Sequence, residues 1–281
     1  MNLEKILFEV GIHSFTSYSE VLGGEDSSVW RIETKGGSCF ALRILPRDRH
    51  EQFLREERII KFVGEQGIQV PRVISVILCE DYTVMLMEWA TGHTLLQELQ
   101  EQPEIAYRLG VECGKVLAAI HKISIEDFVI NTESDWLKPK GEAEIAVFNK
   151  IQGKSCIPSS LLHLDFHPLN VLTDGQQVTA VIDWNNASTG DARFDIARTL
   201  SILRLEGPRL GPSFENILLD FEKGWLEGYS ATAGEIDSLS LFNAWAGLRM
   251  ERDLVGKRSD ADFERMKQWV NHWMKQDGGE L

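Results

Sequence analysis

An α+β fold in two lobes is what the sequence predicts: a small lobe of strands with one main helix, then a larger helical lobe. Three observations carry this expectation. Up to Glu88 the chain is built of short apolar runs separated by turn signals. The character changes at Thr91-Gly92, after which residues 103–122 form an amphipathic helical stretch. From about residue 206 to the end the pattern stays helical, with Trp225, Trp245, Trp269 and Trp273 spaced along it.

The elements follow in order. Ser27–Glu33 and Ser38–Leu45 are strand-like runs joined by Lys35-Gly36-Gly37, a hairpin signal, and Pro46 closes the second. Over residues 50–64, Phe53, Ile59, Ile60 and Val63 share roughly one helical face, ended by Gly64 and Gly67. Arg72–Cys79 and Thr83–Glu88 are two further strands turned at Glu80-Asp81. In the second lobe, Val171-Leu172-Thr173, an Asp174-Gly175 turn and Val178–Trp184 make a hairpin inside helical surroundings. The expected division is residues 1–88, a connector at 89–92, and 93–281. A cleft between two such lobes is a favoured place for a ligand.

Composition narrows the classes. With 281 residues, 43% hydrophobic and 26% charged, the chain matches neither a disordered nor a fibrous protein. Its 29 basic and 43 acidic residues leave a net charge of −14, which argues against a nucleic-acid binder with a cationic face. Cys39, Cys79, Cys113 and Cys156 lie far apart with no C-x-x-C pair, as free thiols in a reducing compartment would. Charges at Glu4 and Lys5 do not suit a signal peptide, and no long apolar run follows. The expectation is a soluble, cytoplasmic protein that binds neither membrane nor nucleic acid.

The densest group of reactive side chains is His163-Leu-Asp165-Phe-His167-Pro-Leu-Asn170, followed by Asp183 in Val-Ile-Asp-Trp. An Asp near a loop can accept the proton of an attacking hydroxyl. An Asn oxygen and a second carboxylate, at the two ends of a hairpin, can converge on Mg²⁺, which takes oxygen ligands and is commonly shared with phosphates. A base beside such a metal equips a site for phosphoryl transfer.

That spacing, H-x-D-x-x-x-x-N, a hairpin and then Asp, resembles the catalytic loop and metal-binding segment of the eukaryotic-like kinases. With His at the fifth position it resembles the aminoglycoside phosphotransferase family, which includes kinases of choline, homoserine and other small alcohols. The resemblance implies a bilobal protein-kinase-like fold, with an antiparallel-sheet N-terminal lobe that binds ATP or GTP. It implies that Asp165 is the catalytic base and that Asn170 and Asp183 hold Mg²⁺. Met87–Gly92 resembles the hinge, where the Glu88 carbonyl and the Ala90 N–H would hold adenine. Ala41-Leu-Arg43 matches the Ala-x-Lys of the third strand, and Arg55-Glu56 matches its ion-pair partner. Leu22–Val29 resembles the phosphate-covering loop, with Gly24, Ser27 and Ser28 over the triphosphate. Asp191–Ala197 resembles the next fixed segment.

Departures from the pattern carry information too. Arg43 replaces Lys and can bind phosphate bidentately. The metal segment is Asp183-Trp-Asn, and the short interval to Asp195 leaves no room for a peptide-binding activation segment, so a small molecule is the expected acceptor. His163 is expected to order the loop. His167 either lines the acceptor pocket or hydrogen-bonds nearby. Asp195 is expected to cap a helix Ile196–Leu205 and to brace the loop. A cationic acceptor would suit Glu206, Glu215, Asp220, Glu222, Glu227, Glu251 and Asp253 beside Trp225, Tyr229 and Trp245; a neutral alcohol or sugar is the alternative. Two other classes are weighed. One is a metallohydrolase, since His163, Asp165 and His167 would share one face of a strand. The other is a non-catalytic nucleotide-binding pseudokinase, against which the intact Asp165, Asn170 and Asp183 count.

Overall fold

The computed structural model describes residues 1–21, 27–126, 128, 134–154 and 159–278. Along the chain the elements begin with α1 (Leu3–Glu9), β1 (Phe15–Val21), β2 (Ser28–Thr34), β3 (Cys39–Pro46), α2 (His50–Glu65), β4 (Val73–Cys79) and β5 (Tyr82–Glu88). There follow β6 (His93–Thr94), α3 (Leu95–Glu101), α4 (Ala106–His121), α5 (Glu142–Lys154), β7 (Ser160–Leu162), β8 (Val171–Thr173), β9 (Val178–Val181) and β10 (Ser188–Gly190). The chain ends in α6 (Arg193–Ser201), a π-helical turn (Ile202–Glu206), α7 (Pro212–Ala233), α8 (Ser240–Asp253) and α9 (Asp260–Gln276).

Two compact units result: Met1–Gly92 with Thr179–Asn185, and His93–Val178 with Asn186–Leu281. The segment carrying Asp183 therefore packs with the N-terminal unit, although the sequence division places it after residue 93. No helix among the described residues is long and apolar enough to cross a membrane.

In the first unit a five-stranded antiparallel sheet runs β1-β2-β3-β5-β4. The hairpin after β2 closes with Gly37 at φ 80° and a Thr34–Ser38 backbone bond of 2.9 Å, a conformation glycine adopts without cost. Helix α1 escapes the sequence pattern, which offers one main helix here. Asn2 caps it, accepting the Lys5 N–H at 3.2 Å, and Leu3, Ile6 and Leu7 join Ile32, Leu42 and Val84 in the core. On α2 the buried stripe is Phe53, Glu56, Ile59, Ile60 and Val63, so a carboxylate occupies a core position.

In the second unit α4 lies against α7 at backbone contact. A Cβ on Gly114 or Gly228 would strike the carbonyl oxygen of Trp225 or Val111, so these positions admit only glycine. A separate core gathers Trp136, Leu137, Val147, Leu162, Phe194 and Trp245. The tryptophans are thus packing groups. Trp225 and Trp245 are fully buried and Tyr229 nearly so, which overturns the expected aromatic platform for a cationic acceptor. Its carboxylates are partly committed as well: Glu222 holds Arg204, Glu206 holds Arg258, and Glu227 accepts the Tyr107 hydroxyl.

Candidate active site

The N-terminal unit contributes a cation held between two acids. Arg43 on β3 sits opposite Met85 of β5 and donates through Nη1 to Glu56 Oε1 of α2. Its Nη2 lies 3.7 Å from Asp183 Oδ1, and its guanidinium stands 5.4 Å from the centre of the Phe53 ring. Burial raises the Glu56 carboxyl, an effect that Arg43 opposes and the Asp183 charge reinforces. Arg55, beside Glu56 in sequence, instead donates to the Asn185 carbonyl at 2.8 Å. Asp183 itself has φ 62°, a left-handed conformation that costs a non-glycine residue about 1–3 kcal/mol and concentrates at functional positions.

The other described nucleotide positions expected from the sequence lie on or beside this sheet. Ala41 pairs with Met87 across β3 and β5, and Ser28 opens β2 opposite Ile44. Ser27 directly precedes that strand. Glu88 ends β5, its N–H bonded to the Arg72 carbonyl at 2.9 Å and its side chain paired with Arg72. The Trp89 N–H bonds to the Cys39 carbonyl at 3.1 Å, while the following Ala90 N–H has no partner among the described residues. Gly23 and Gly24 lie outside the described residues, as does Cys156.

The C-terminal unit holds the loop His163–Asn170 between β7 and β8. Leu164 has φ 59°, so the chain bends sharply just before Asp165. That bend is held from below. Asp195 Oδ2 accepts the His163 N–H at 2.6 Å and Oδ1 accepts the Leu164 N–H at 3.0 Å. Asp195 is not the helix cap that its position suggests: α6 already begins at Arg193, and its first turn carries this fully buried carboxylate inward. His163 is also fully buried, and its Nδ1 accepts the Asp165 N–H at 3.2 Å.

Asp165 is surrounded by donors. Arg198 Nη2 lies 3.5 Å from Oδ1, His167 Nε2 lies 3.5 Å from Oδ2, and Asn170 Nδ2 donates to Oδ2 at 3.0 Å. Burial would push the Asp165 carboxyl up, but His167, Arg198 and His163 outweigh it and hold the group well below the usual carboxylate range. The group is therefore ionised at neutral pH. His167 Nδ1 accepts the Leu169 N–H at 3.3 Å, so the ring hydrogen-bonds within the loop. Since Asn170 uses Nδ2 on Asp165, its Oδ1 accepts no hydrogen bond among the described residues. A free amide oxygen on Asn170 and a half-exposed carboxylate on Asp183 are hard donors of the kind Mg²⁺ takes.

This geometry leaves little for a metallohydrolase. His163–His167 is not a strand, both histidines turn Nδ1 to backbone N–H groups, and no His/Cys/Asp/Glu group among the described residues could hold a metal by itself. Sequence inspection missed Arg198, although Asp195 and Arg198 are three apart on α6 and so share a face.

The family model for the phosphotransferase enzyme family matches residues 17–234. The chain belongs to that family. Among solved structures, a thermostable mutant of aminoglycoside phosphotransferase APH(4)-Ia superposes with a TM-score of 0.71 at 18% identity, covering 99% of this chain and 100% of that one. A fructosamine-3-kinase homologue from Haemophilus somnus gives 0.65 at 13% identity, covering 95% and 96%. At these identities the likeness shows the fold, which is the protein-kinase-like α+β fold of the phosphotransferases. Hygromycin-B 4-O-kinase of Escherichia coli is 51% identical over 37 residues, which is 13% of this chain and 11% of that protein. Within this member of the family, then, Arg43, Glu56 and Asp183 form one cluster and Asp165, Asn170 and Arg198 another.

Proposed function

We propose that this phosphotransferase moves the γ-phosphoryl group of ATP or GTP to a hydroxyl of a small molecule, with an aminoglycoside or amino alcohol favoured as acceptor. The observation that carries the proposal is Asp165: a carboxylate just after a strained bend, with Arg198, His167 and Asn170 around it. A carboxylate held this low is a weak base, so its first task is to orient the hydroxyl. As the acceptor oxygen bonds to phosphorus, the bond from phosphorus to the β,γ-bridging oxygen breaks, the diphosphate leaves, and the hydroxyl proton passes to Asp165.

Asn170 and Asp183 supply oxygens to Mg²⁺, which when bound neutralises phosphate charge. Arg43, steered by Glu56, binds phosphate oxygens, and Gly24, Ser27 and Ser28 cover them. The Glu88 carbonyl and Ala90 N–H hold the base, and His163 with Asp195 supports the loop. The acceptor class draws on the −14 net charge and on the relatives: hygromycin-B 4-O-kinase is named for an aminoglycoside, and an APH(4)-Ia structure is a ternary complex with AMP-PNP and hygromycin B. The buried tryptophans remove a stacking platform, so recognition of a cation rests on carboxylates alone.

The test is a transfer screen with labelled ATP and GTP against aminoglycosides, amino alcohols and neutral sugars. A positively charged best acceptor, with a KM that rises with ionic strength, supports the proposal. A neutral best acceptor with a salt-independent KM overturns the cationic part. Nucleotide binding without transfer to any acceptor class would indicate a pseudokinase.

A further inference from the structure

A buried polar chain runs away from the catalytic loop into the helices of the C-terminal unit, and none of its outer members has a part in the chemistry above. Asp195 Oδ2, besides accepting the His163 N–H, lies 3.2 Å from Nε2 of His121, the last residue of α4. Nδ1 of the same ring lies 2.8 Å from the Tyr229 hydroxyl on α7. All three side chains are buried, so their polar atoms must satisfy one another.

The donors can be assigned from one end. Asp195 has only acceptor oxygens, so His121 Nε2 carries a hydrogen and donates. In the neutral ring Nδ1 must then accept, and the Tyr229 hydroxyl donates to it. Burial, then the charges of Asp195 and Asp191, push the Tyr229 phenol up, so it keeps its proton. A second feature fixes the same contact. Gly110 and Gly114 on α4 face the backbone of α7, and Gly224 and Gly228 on α7 face the backbone of α4, with no room for a Cβ at any of the four. Helices at backbone contact keep the Tyr229 hydroxyl within 2.8 Å of His121 Nδ1.

We propose that Tyr229 is a positioning residue: its hydroxyl, donating to Nδ1 of His121, holds the ring whose Nε2–H binds Asp195, and so aims the Asp195 carboxylate at the two backbone amides that set the bend before Asp165. This rests on the phosphoryl-transfer reaction proposed above. It adds that the register of α4 on α7 is transmitted to the catalytic carboxylate by three hydrogen-bonded side chains. A shift of Asp195 would release the His163 and Leu164 amides together. The strained φ of Leu164 would then relax and carry Asp165 out of line.

Tyr229→Phe removes the hydroxyl and keeps the ring. Three readouts follow. Nitrogen-15 spectra of the wild-type protein, with His121 assigned by its loss in His121→Asn, should show His121 as the neutral Nε2–H tautomer. In Tyr229→Phe the Nδ1 resonance should shift as its hydrogen bond is lost while Nε2 stays protonated, and amide exchange at His163 and Leu164 should quicken several-fold. With the best acceptor, kcat should fall about tenfold while the nucleotide KM stays unchanged, as expected of a small misplacement of the reacting groups. A wild-type His121 in the Nδ1–H form, or a Tyr229→Phe protein with wild-type kcat and unchanged exchange, overturns the proposal. The first two readouts need no substrate. They therefore stand apart from a wild-type protein that transfers no phosphate, which would refute the functional proposal and the catalytic part of this one.

Discussion

Arg198 on α6 places its guanidinium 3.5 Å from the Asp165 carboxylate, and the same turn of helix sends Asp195 under the loop that carries it. One short helix thus positions the proposed base and, with His167 of the loop, favours its charged form. A group with a depressed pKa is ionised above that pKa and loses its charge as pH falls through it. The limb of kcat/KM that belongs to Asp165 should therefore lie below the usual carboxylate range. In Arg198→Gln it should move up, though not to the unperturbed value for Asp, because His167 still favours the charged form. A pH–rate profile of the two proteins checks this, and coincident acid limbs would mean that Arg198 does not tune Asp165.

Arg43 should matter for stability as well as for phosphate. Glu56 is fully buried, and Arg43 is the cation that opposes the cost of its burial. Arg43→Ala leaves that charge unpaired, an error that costs about 3–5 kcal/mol when it happens in an interior. The deficit is electrostatic, so it has a sign in pH. Burial raises the folded-state pKa of Glu56, and without Arg43 it rises further. The loss should be largest when Glu56 would be ionised and should shrink as acid protonates it. Thermal melts of both proteins at about pH 8 and about pH 5 test this, and an equal deficit at both would point to lost packing instead.

The proposed metal ligands make a separate prediction. Asp183→Ala and Asn170→Ala should each abolish turnover and weaken Mg²⁺-nucleotide binding more than binding of metal-free nucleotide. Calorimetric titrations with and without Mg²⁺ decide the matter. Equal losses in the two would count against direct ligation.

Gly228→Ala should lower the melting temperature. Its Cβ would meet the Val111 carbonyl across the α4–α7 contact, and overpacking against backbone costs about 1–3 kcal/mol. Gly153→Ala, on α5 with open space around it, is the control and should hold or slightly raise the melting temperature, because alanine favours a helix over glycine.

Much of this was legible in the chain because the chemistry is clustered. His163 to Asn170 is a contiguous octet, and the strands around Arg43 alternate with clear turn signals. What stayed hidden has physical reasons. Asp195 looks like a cap because Asp commonly caps helices, yet α6 starts one turn early and buries it. His121 ends an apolar stripe as its one hydrogen-bonding side chain, a signal of a buried polar partner that only the packing of α7 identifies. The tryptophans were ambiguous for a different reason. A large aromatic on a helix is more often core than ligand platform, but only its neighbours decide, and here Trp136, Phe194 and Trp245 pack edge to face.

The most direct measurement sets turnover against nucleotide affinity in Asp165→Ala. Loss of a positioned acid–base group costs about 10²–10⁴ in rate. The variant should therefore lose turnover in that range with the best acceptor while binding Mg²⁺-nucleotide as the wild type does, because Asp165 is proposed to face the acceptor hydroxyl. Turnover and nucleotide binding falling together by one factor would contradict the role given to Asp165.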